Sequence, residues 1–163
     1  GSTPTALSAK SLQGVTELRA GVDVFFDLFQ SGLGVCDLED IALSVLTTVV
    51  SHKTSHRRLI IDAGGLALSK DRGTASQAID CGYGLVLQAE DGKVIPGLKV
   101  VAANQEHGII DLPDGYDFGQ FPLGSQLRIL PNHACMTAAA HGHYNIVEGD
   151  DVIIGMWQRC NGW

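Results

Sequence analysis

The sequence has few basic residues and no long apolar run, and each shortage excludes a class of protein. Lys and Arg together number 11 against 18 Asp and Glu, which gives a formal net charge of −7. Because nucleic-acid-binding surfaces need clustered basic side chains, we exclude a nucleic-acid partner. No stretch approaches the roughly 18 to 20 apolar residues of a membrane-spanning helix. The sequence therefore predicts a soluble protein without a membrane partner.

A closely spaced cysteine pair is also missing. The four cysteines are spread along the chain at Cys36, Cys81, Cys135 and Cys160. Without a Cys-x-x-Cys pair, neither a zinc-ribbon knuckle nor a thioredoxin-type motif is available. The first residues lack the basic and then apolar segments of a secretory signal. We therefore expect a reduced, cytoplasmic protein.

The composition and the turn pattern predict one mostly β domain. Hydrophobic residues make up 45% of the 163 residues and charged residues 18%, which is typical of a globular domain. Turns recur about every 8 to 12 residues, a spacing that favours an antiparallel β-barrel-like domain with a few short helices. Short helices are predicted at 38–41, 66–70 and 132–140. The predicted strands are Val15–Arg19, Asp23–Phe29, Ala42–Ser51, Arg58–Asp62, Gly84–Gln88, Lys99–Asn104, Gly108–Asp111, Gln126–Leu130, Tyr144–Val147 and Asp151–Gln158.

Three of these segments show an alternation of side-chain polarity. It runs through residues 22–27, 127–130 and 152–157. Successive side chains of a strand point to opposite faces, so alternation predicts a strand with one buried face. We expect all three segments to line the core.

The local feature that points most directly to chemistry follows one predicted strand. His133 and Cys135 stand two residues apart directly after Pro131-Asn132. A neutral imidazole and a soft thiolate suit zinc, and two protein ligands leave coordination positions open for water and substrate, as a catalytic metal requires. The alternative is a structural pair, with a buried cysteine and a hydrogen-bonded core histidine.

Three further segments contain candidate site residues. Glu106 and His107 are adjacent between two predicted strands, where a carboxylate beside an imidazole can handle protons, although the segment also suits a hairpin turn. Asp62 ends an apolar strand, where it is either a site residue or the N-cap of the helix that follows. Ser2 and Thr3 lie in a small, hydroxyl-bearing segment of the kind that binds phosphate, or in a disordered terminus.

Taken in order, a set of motifs along the whole chain resembles the D-threonine aldolase and D-serine dehydratase family. The ordered set is far more specific than any one of its members. The motifs are Gly1-Ser2-Thr3-Pro4-Thr5, Glu17-Leu18-Arg19-Ala20-Gly21, Phe26-Asp27-Leu28, Asp62-Ala63-Gly64, Ala67-Leu68-Ser69-Lys70-Asp71-Arg72-Gly73, Gln105-Glu106-His107-Gly108, Pro131-Asn132-His133-Ala134-Cys135 and Gly162-Trp163.

The resemblance implies a two-domain enzyme of the alanine-racemase fold type. In that family an N-terminal α/β barrel holds pyridoxal phosphate on a lysine, and a C-terminal β-domain completes the site. This chain matches the second part, with residues 1–14 as the end of the preceding domain or a linker and residues 15–163 as the C-terminal metal-binding β-domain. None of its lysines matches the Schiff-base motif, so we expect the isolated chain to be inactive. The parent is expected to be a homodimer.

The resemblance also assigns roles to residues. His133 and Cys135 match the family's metal ligands, and a cysteine at the second position is the choice of the D-serine dehydratase branch, where zinc is implied. The aldolase branch tends to have aspartate there and a harder ion such as manganese. Ser2 and Thr3 match the phosphate-contacting segment, while Glu106, His107 and Asp62 are candidates for the shell around the substrate. The implied substrate is a D-3-hydroxy amino acid, and aldolase and dehydratase chemistry both remain open.

Two other interpretations compete with the lyase. The chain is alternatively a non-catalytic β-barrel binding or regulatory module, which predicts no tight metal and no partner barrel. A racemase of the same fold class would need a tyrosine base in a matching motif. Tyr83, Tyr116 and Tyr144 are present, but none of them lies in such a motif.

Overall fold

The computed structural model describes residues 2–149 and 152–160. This part of the chain contains eight strands and four short α-helices, together with several single turns of 3-10 helix. The strands are β1 Val45–Lys53, β2 Arg58–Ile61, β3 Leu85–Gln88, β4 Val94–Ala103, β5 Gly108–Asp111, β6 Gln126–Leu130, β7 His143–Glu148 and β8 Val152–Gln158. The helices are α1 Thr3–Ser8, α2 Leu28–Gly32, α3 Gly65–Leu68 and α4 Ala134–Ala139.

Six of the strands form a closed antiparallel barrel in the order β1-β2-β5-β4-β3-β6, with β6 pairing back to β1. The two longest barrel strands make closure possible because each pairs with a different neighbour along its length. β1 pairs with β6 up to Thr48 and with β2 from Val49 onward, and its register with β2 shifts between Val49 and Ser51. Such irregularities bend a strand and let a sheet turn a corner. The barrel confirms the predicted fold class.

Apolar side chains that alternate along the barrel strands fill its interior. Leu127 and Ile129 are buried while Arg128 between them is partly exposed, as the alternation predicted. Fully burying a side chain of this size stabilises the fold by roughly 1.5–3 kcal/mol. The buried set from the strands includes Val45, Val49, Leu59, Ile61, Val86, Leu98, Val100, Ile110, Leu127 and Ile129.

The β7–β8 hairpin lies outside the barrel, and its two strands pair with each other. The prediction of a strand at 151–158 is confirmed for the described residues from Val152 onward, whereas Asp151 is outside them. The prediction that this segment lines the core is wrong. Its large apolar side chains are between 55% and 61% exposed and lie on both faces of the hairpin.

Two predicted strands near the N-terminus are also wrong. Val15–Arg19 forms no strand, and Asp23–Phe29 falls across a 3-10 turn at Val22–Val24 and the start of α2. The backbone of Phe26 has a φ of 52°, which an extended strand cannot contain. Asp27 then caps α2, because its Oδ1 accepts a hydrogen bond from the Gln30 N–H at 3.0 Å.

The short helices position the segment that follows β6. The three predicted helical segments are confirmed as a 3-10 turn at Leu38–Asp40, α3 and α4. The Thr137 hydroxyl of α4 donates to the carbonyl of Leu68 in α3 at 2.9 Å, which ties the two helices together. None of the helices in the described residues is long and apolar enough to cross a membrane. The motif residues Gly1, Gly162 and Trp163 lie outside the described residues.

Candidate functional site

A cleft of about 490 Å³ opens beside α2 and α4. Its walls come from segments that are far apart in the sequence: the N-terminal helix, the start of α2, the loop around residue 71 and the segment after β6. The cleft brings together two predicted pairs, Ser2 with Thr3 and His133 with Cys135. The hydroxyl-bearing segment and the proposed metal ligands therefore face one space, although 130 positions separate Thr3 from His133.

His133 is held in place by the asparagine before it. Asn132 is buried, and its Nδ2 donates to the carbonyls of Asp71 at 3.1 Å and Gly82 at 2.5 Å. Its Oδ1 accepts from the Thr74 hydroxyl at 2.7 Å. A buried amide with all of these partners satisfied fixes the backbone around it, since losing any one bond would leave a buried polar group unpaired. His133 therefore leaves the barrel at a defined position.

The imidazole of His133 is partly exposed and contacts a carboxylate. Its Nδ1 lies 2.9 Å from Oδ2 of Asp71, so Nδ1 carries the proton in the neutral ring and donates to the carboxylate. Nε2 has no hydrogen-bond partner within residues 2–149 and 152–160. The ring thus keeps a lone pair on Nε2, which is the form that binds a metal ion.

Cys135 occupies the first turn of α4, on the wall of the same cleft. Desolvation raises the pKa of its thiol, and the nearby Asp27 carboxylate raises it further. Asp27 is itself buried and fixes the start of α4, because its Oδ2 accepts from the Ala134 N–H at 2.9 Å. In the metal-free protein the sulfur is therefore a thiol, and a cation bound to it would displace the proton.

The donor set suits an open metal site. Among the described residues, no three His, Cys, Asp or Glu side chains converge on one point. His133 and Cys135 thus offer one nitrogen and one sulfur, and a tetrahedral zinc ion would take its remaining ligands from water or substrate. Within the described part of the chain this pair does not supply the four protein ligands of a closed structural site.

Ser2 and Thr3 lie at the start of α1 beside the cleft. The Ser2 hydroxyl contacts the Thr5 hydroxyl at 3.0 Å and is exposed. The Thr3 side chain is buried, and its hydroxyl donates to Asp23 at 3.5 Å. The exposed serine is therefore the better placed of the two to contact a phosphate.

The other predicted site residues do not line the cleft. Glu106 and His107 are exposed in the turn between β4 and β5. Asp62 accepts hydrogen bonds from the Thr47 hydroxyl at 2.6 Å and the Thr48 N–H at 2.8 Å, which connects the end of β2 to β1. The alternative role of Asp62 as a helix cap is wrong, because the N-cap of α3 is Gly64.

Two aspartates of the cleft had no assigned role in the sequence. Asp27 is the N-cap of α2, and a capping residue before an apolar segment is a signal that would have predicted this helix. Asp71 contacts His133 across 62 positions of sequence, and no local pattern predicts such a contact. Both residues belong to motifs of the resemblance, Phe26-Asp27-Leu28 and the segment 67–73.

A family model described as "Putative serine dehydratase domain" matches residues 42–147. The D-threo-3-hydroxyaspartate dehydratase of a Delftia species is 52% identical over the whole chain, which covers 43% of that protein. Its solved structure has a TM-score of 0.90 and 51% identity, with this chain spanning 44% of it. Two variant structures of the same enzyme replace a histidine and, in a metal-free form, a cysteine.

Two other similar proteins differ in length. The structure of an alanine-racemase-like protein from Idiomarina loihiensis has a TM-score of 0.92 and 48% identity over the full chain, which covers 43% of it. An uncharacterized protein of Mycobacterium tuberculosis is 32% identical over 135 residues, which cover 81% of this chain and 92% of that protein. The chain therefore spans less than half of the first two proteins and most of the third.

Proposed function

Because the chain belongs to the family of the "Putative serine dehydratase domain", we propose that it is the C-terminal, metal-binding domain of a pyridoxal-phosphate-dependent D-3-hydroxy amino acid dehydratase. The resemblance to the D-threonine aldolase and D-serine dehydratase family is confirmed. The observation that carries the proposal is the placement of His133 and Cys135 on one cleft, with Nε2 of the histidine unpaired among the described residues.

Dehydration is favoured over aldol cleavage by the second ligand. The Delftia relative is named as a dehydratase, and its variants place a histidine and a cysteine two positions apart, the spacing of His133 and Cys135 here. One of these variants is described as metal-free. A thiolate is a soft ligand that suits zinc better than manganese or magnesium, which prefer oxygen. We therefore assign a zinc ion to this pair.

The residues of the cleft have distinct tasks in this proposal. When bound, the metal would act as a Lewis acid on the substrate 3-hydroxyl, and pyridoxal phosphate would supply the electron sink at the α-carbon. His133 and Cys135 hold the metal, and Asp27 fixes the helix start that presents Cys135. Ser2 and Thr3 would bind the cofactor phosphate, and the Ser2 hydroxyl is the exposed one of the two. Glu106, His107 and Asp62 remain predictions for the substrate shell, and we assign no step to them.

We propose a further domain and a second subunit from two observations: the greater length of the relatives and the exposed apolar surface of the β7–β8 hairpin. The chain spans 43% of the Delftia enzyme, which leaves room for a cofactor-binding N-terminal barrel. The β7–β8 hairpin exposes apolar side chains on both faces, as expected of a surface that another domain or subunit covers. We propose that the parent is a cytoplasmic homodimer in which that barrel completes the cleft.

The test uses the full-length parent of this chain, stripped of metal and reloaded with zinc or manganese. We expect zinc-dependent release of ammonia from D-serine or D-threo-3-hydroxyaspartate, and no retro-aldol cleavage of D-threonine. His133→Ala and Cys135→Ser should each lower kcat by roughly 100-fold or more, because metal assistance is worth several kcal/mol. Cys160→Ser is the matched control, since Cys160 is exposed and does not line the cleft. Metal-independent turnover would contradict the proposal.

A second candidate is the stand-alone binding module. It is favoured by the mycobacterial relative, of which this chain covers 92%, because that protein consists largely of this domain. The native gene product separates the two candidates by mass. A product well above 17.3 kDa supports the lyase, whereas a product of that mass supports the module.

A further inference from the structure

Asp71 uses its two carboxylate oxygens for different purposes. Oδ1 accepts a hydrogen bond from the Gly73 N–H at 2.6 Å and so shapes the loop in which Asp71 lies. Oδ2 contacts Nδ1 of His133 at 2.9 Å. One oxygen of Asp71 thus stabilises the local turn, and the other contacts the proposed metal ligand His133.

The loop that carries Asp71 is anchored to the same asparagine that anchors His133. Nδ2 of Asn132 donates to the Asp71 carbonyl, and the Ser69 hydroxyl accepts from the Asp71 N–H at 3.2 Å. Ser69 has a φ of 64°, a left-handed conformation that is uncommon for a residue with a side chain and that needs support from its surroundings. The carboxylate and the imidazole are therefore held relative to each other by backbone contacts on both sides.

The geometry points to Asp71 as a positioning residue that selects the metal-binding tautomer of His133. A carboxylate only accepts hydrogen bonds, so it keeps the ring proton on Nδ1 and the lone pair on Nε2. It also fixes the ring plane and therefore the direction of the Nε2 lone pair. This inference rests on the proposed function, because it gives Asp71 a task only if His133 binds a metal.

An asparagine at position 71 would separate this role from a purely structural one. The amide oxygen can still accept from the Gly73 N–H and preserve the loop. The amide nitrogen would then face His133 as a donor, so Nδ1 must accept and the ring proton moves to Nε2. A protonated Nε2 cannot ligate a metal ion. The substitution therefore keeps the fold and reverses the tautomer.

The experiment compares the 163-residue chain with Asp71→Asn and with Asp114→Asn. Asp114 lies on an exposed turn away from the cleft, so the control makes the same chemical change without touching His133. Nitrogen–proton correlation spectra of the histidine ring in the metal-free chain report which nitrogen carries the proton. Titration with zinc against a chromogenic chelator reports the affinity.

We expect the wild-type and Asp114→Asn spectra to show the proton on Nδ1 and the Asp71→Asn spectrum to show it on Nε2. Zinc affinity should fall roughly 10- to 100-fold in Asp71→Asn alone, the usual effect of losing a carboxylate behind a ligating histidine. A wild-type ring with the proton on Nε2 overturns the inference, even if the variant fails to fold. Equal zinc affinity in Asp71→Asn overturns it too but leaves the proposed site intact, whereas a wild-type chain without zinc affinity contradicts both.

Discussion

The barrel and the β7–β8 hairpin are built from similarly apolar strands, yet their side chains have opposite environments. Leu59 in β2 is fully buried, whereas Ile154 in β8 is 57% exposed. Every barrel strand pairs on both sides, whereas β7 and β8 form a separate two-stranded sheet. Closure of the sheet therefore gives the barrel an interior, which a two-stranded sheet does not have.

The hairpin is connected to the rest of the chain at its base. Tyr144 packs against Phe25 with ring centroids 5.1 Å apart, and Arg159 donates to the carbonyls of Ala138 and His141. Ala138 lies in α4, the helix that presents Cys135. A domain that covers the hairpin would therefore lie beside the proposed metal site. The comparison teaches that an apolar strand does not by itself form part of a core, because burial also depends on whether the strand belongs to the closed sheet.

The largest expected effect separates the two regions directly. Leu59→Ala removes a fully buried side chain from the barrel and should lower the free energy of unfolding by about 2–5 kcal/mol. Ile154→Ala removes a similar side chain that already faces water, and the change should be within about 0.5 kcal/mol. Urea unfolding of the 163-residue chain measures both. Comparable losses for the two variants would show that the hairpin is buried in solution.

A pair of glycines gives a second comparison of intermediate size. Gly84 has a φ of 146°, and a Cβ there would lie 2.5 Å from the Leu130 carbonyl oxygen, a backbone atom that cannot move aside. Gly84→Ala should therefore cost about 1–3 kcal/mol, the usual range for overpacking. A Cβ on Gly155 in β8 would meet nothing within 4 Å, so Gly155→Ala should be neutral. If Gly155→Ala unfolded at a clearly lower temperature than the wild type, the open environment of Gly155 would be contradicted.

The sequence predicted the barrel better than its surroundings, for a physical reason. In barrel strands such as β6, side chains point alternately to the interior and to the solvent, so their polarity alternates with a period of two. The sequence pattern therefore predicts both the strand and its buried face. The same alternation over 22–27 belongs to a 3-10 turn and a helix start, since the φ of Phe26 and the Asp27 cap override it. Over 152–157 the predicted strand is confirmed but its predicted place in the core is wrong. Side-chain polarity alone does not show whether an apolar side chain is buried within its own domain.

The candidate site was predictable only in part. The pattern His-x-Cys identified His133 and Cys135, and the structure brings both to one cleft with Ser2 and Thr3. It gave no indication of Asp71, because that contact depends on a loop anchored by Asn132. Glu106 and His107 were predicted from their chemistry, but they are exposed in the β4–β5 turn and do not line this cleft.

The smallest expected effect is on the free energy of unfolding and comes from Asp80, in the loop that precedes β3. The Gly82 N–H and the Arg72 guanidinium hold the pKa of Asp80 below its usual 3.8. A carboxyl whose pKa falls on folding stabilises the folded state above the unfolded pKa, and this contribution is lost as the pH drops through the folded value. Asp80→Asn should therefore cost at most about 1 kcal/mol at pH 7, since the pair is partly exposed to solvent.

The difference between wild type and Asp80→Asn should shrink as the pH falls below 3.8 and disappear once the pH lies below the lowered folded-state pKa, because both chains are then uncharged at this position. Urea unfolding of the two chains across this pH range measures it, with Asp114→Asn again as the control. A difference that stays constant with pH would mean that the amide disturbs the loop sterically. The loop would then depend on the shape of Asp80, as the barrel depends on the shape of its core, and its charge would contribute nothing.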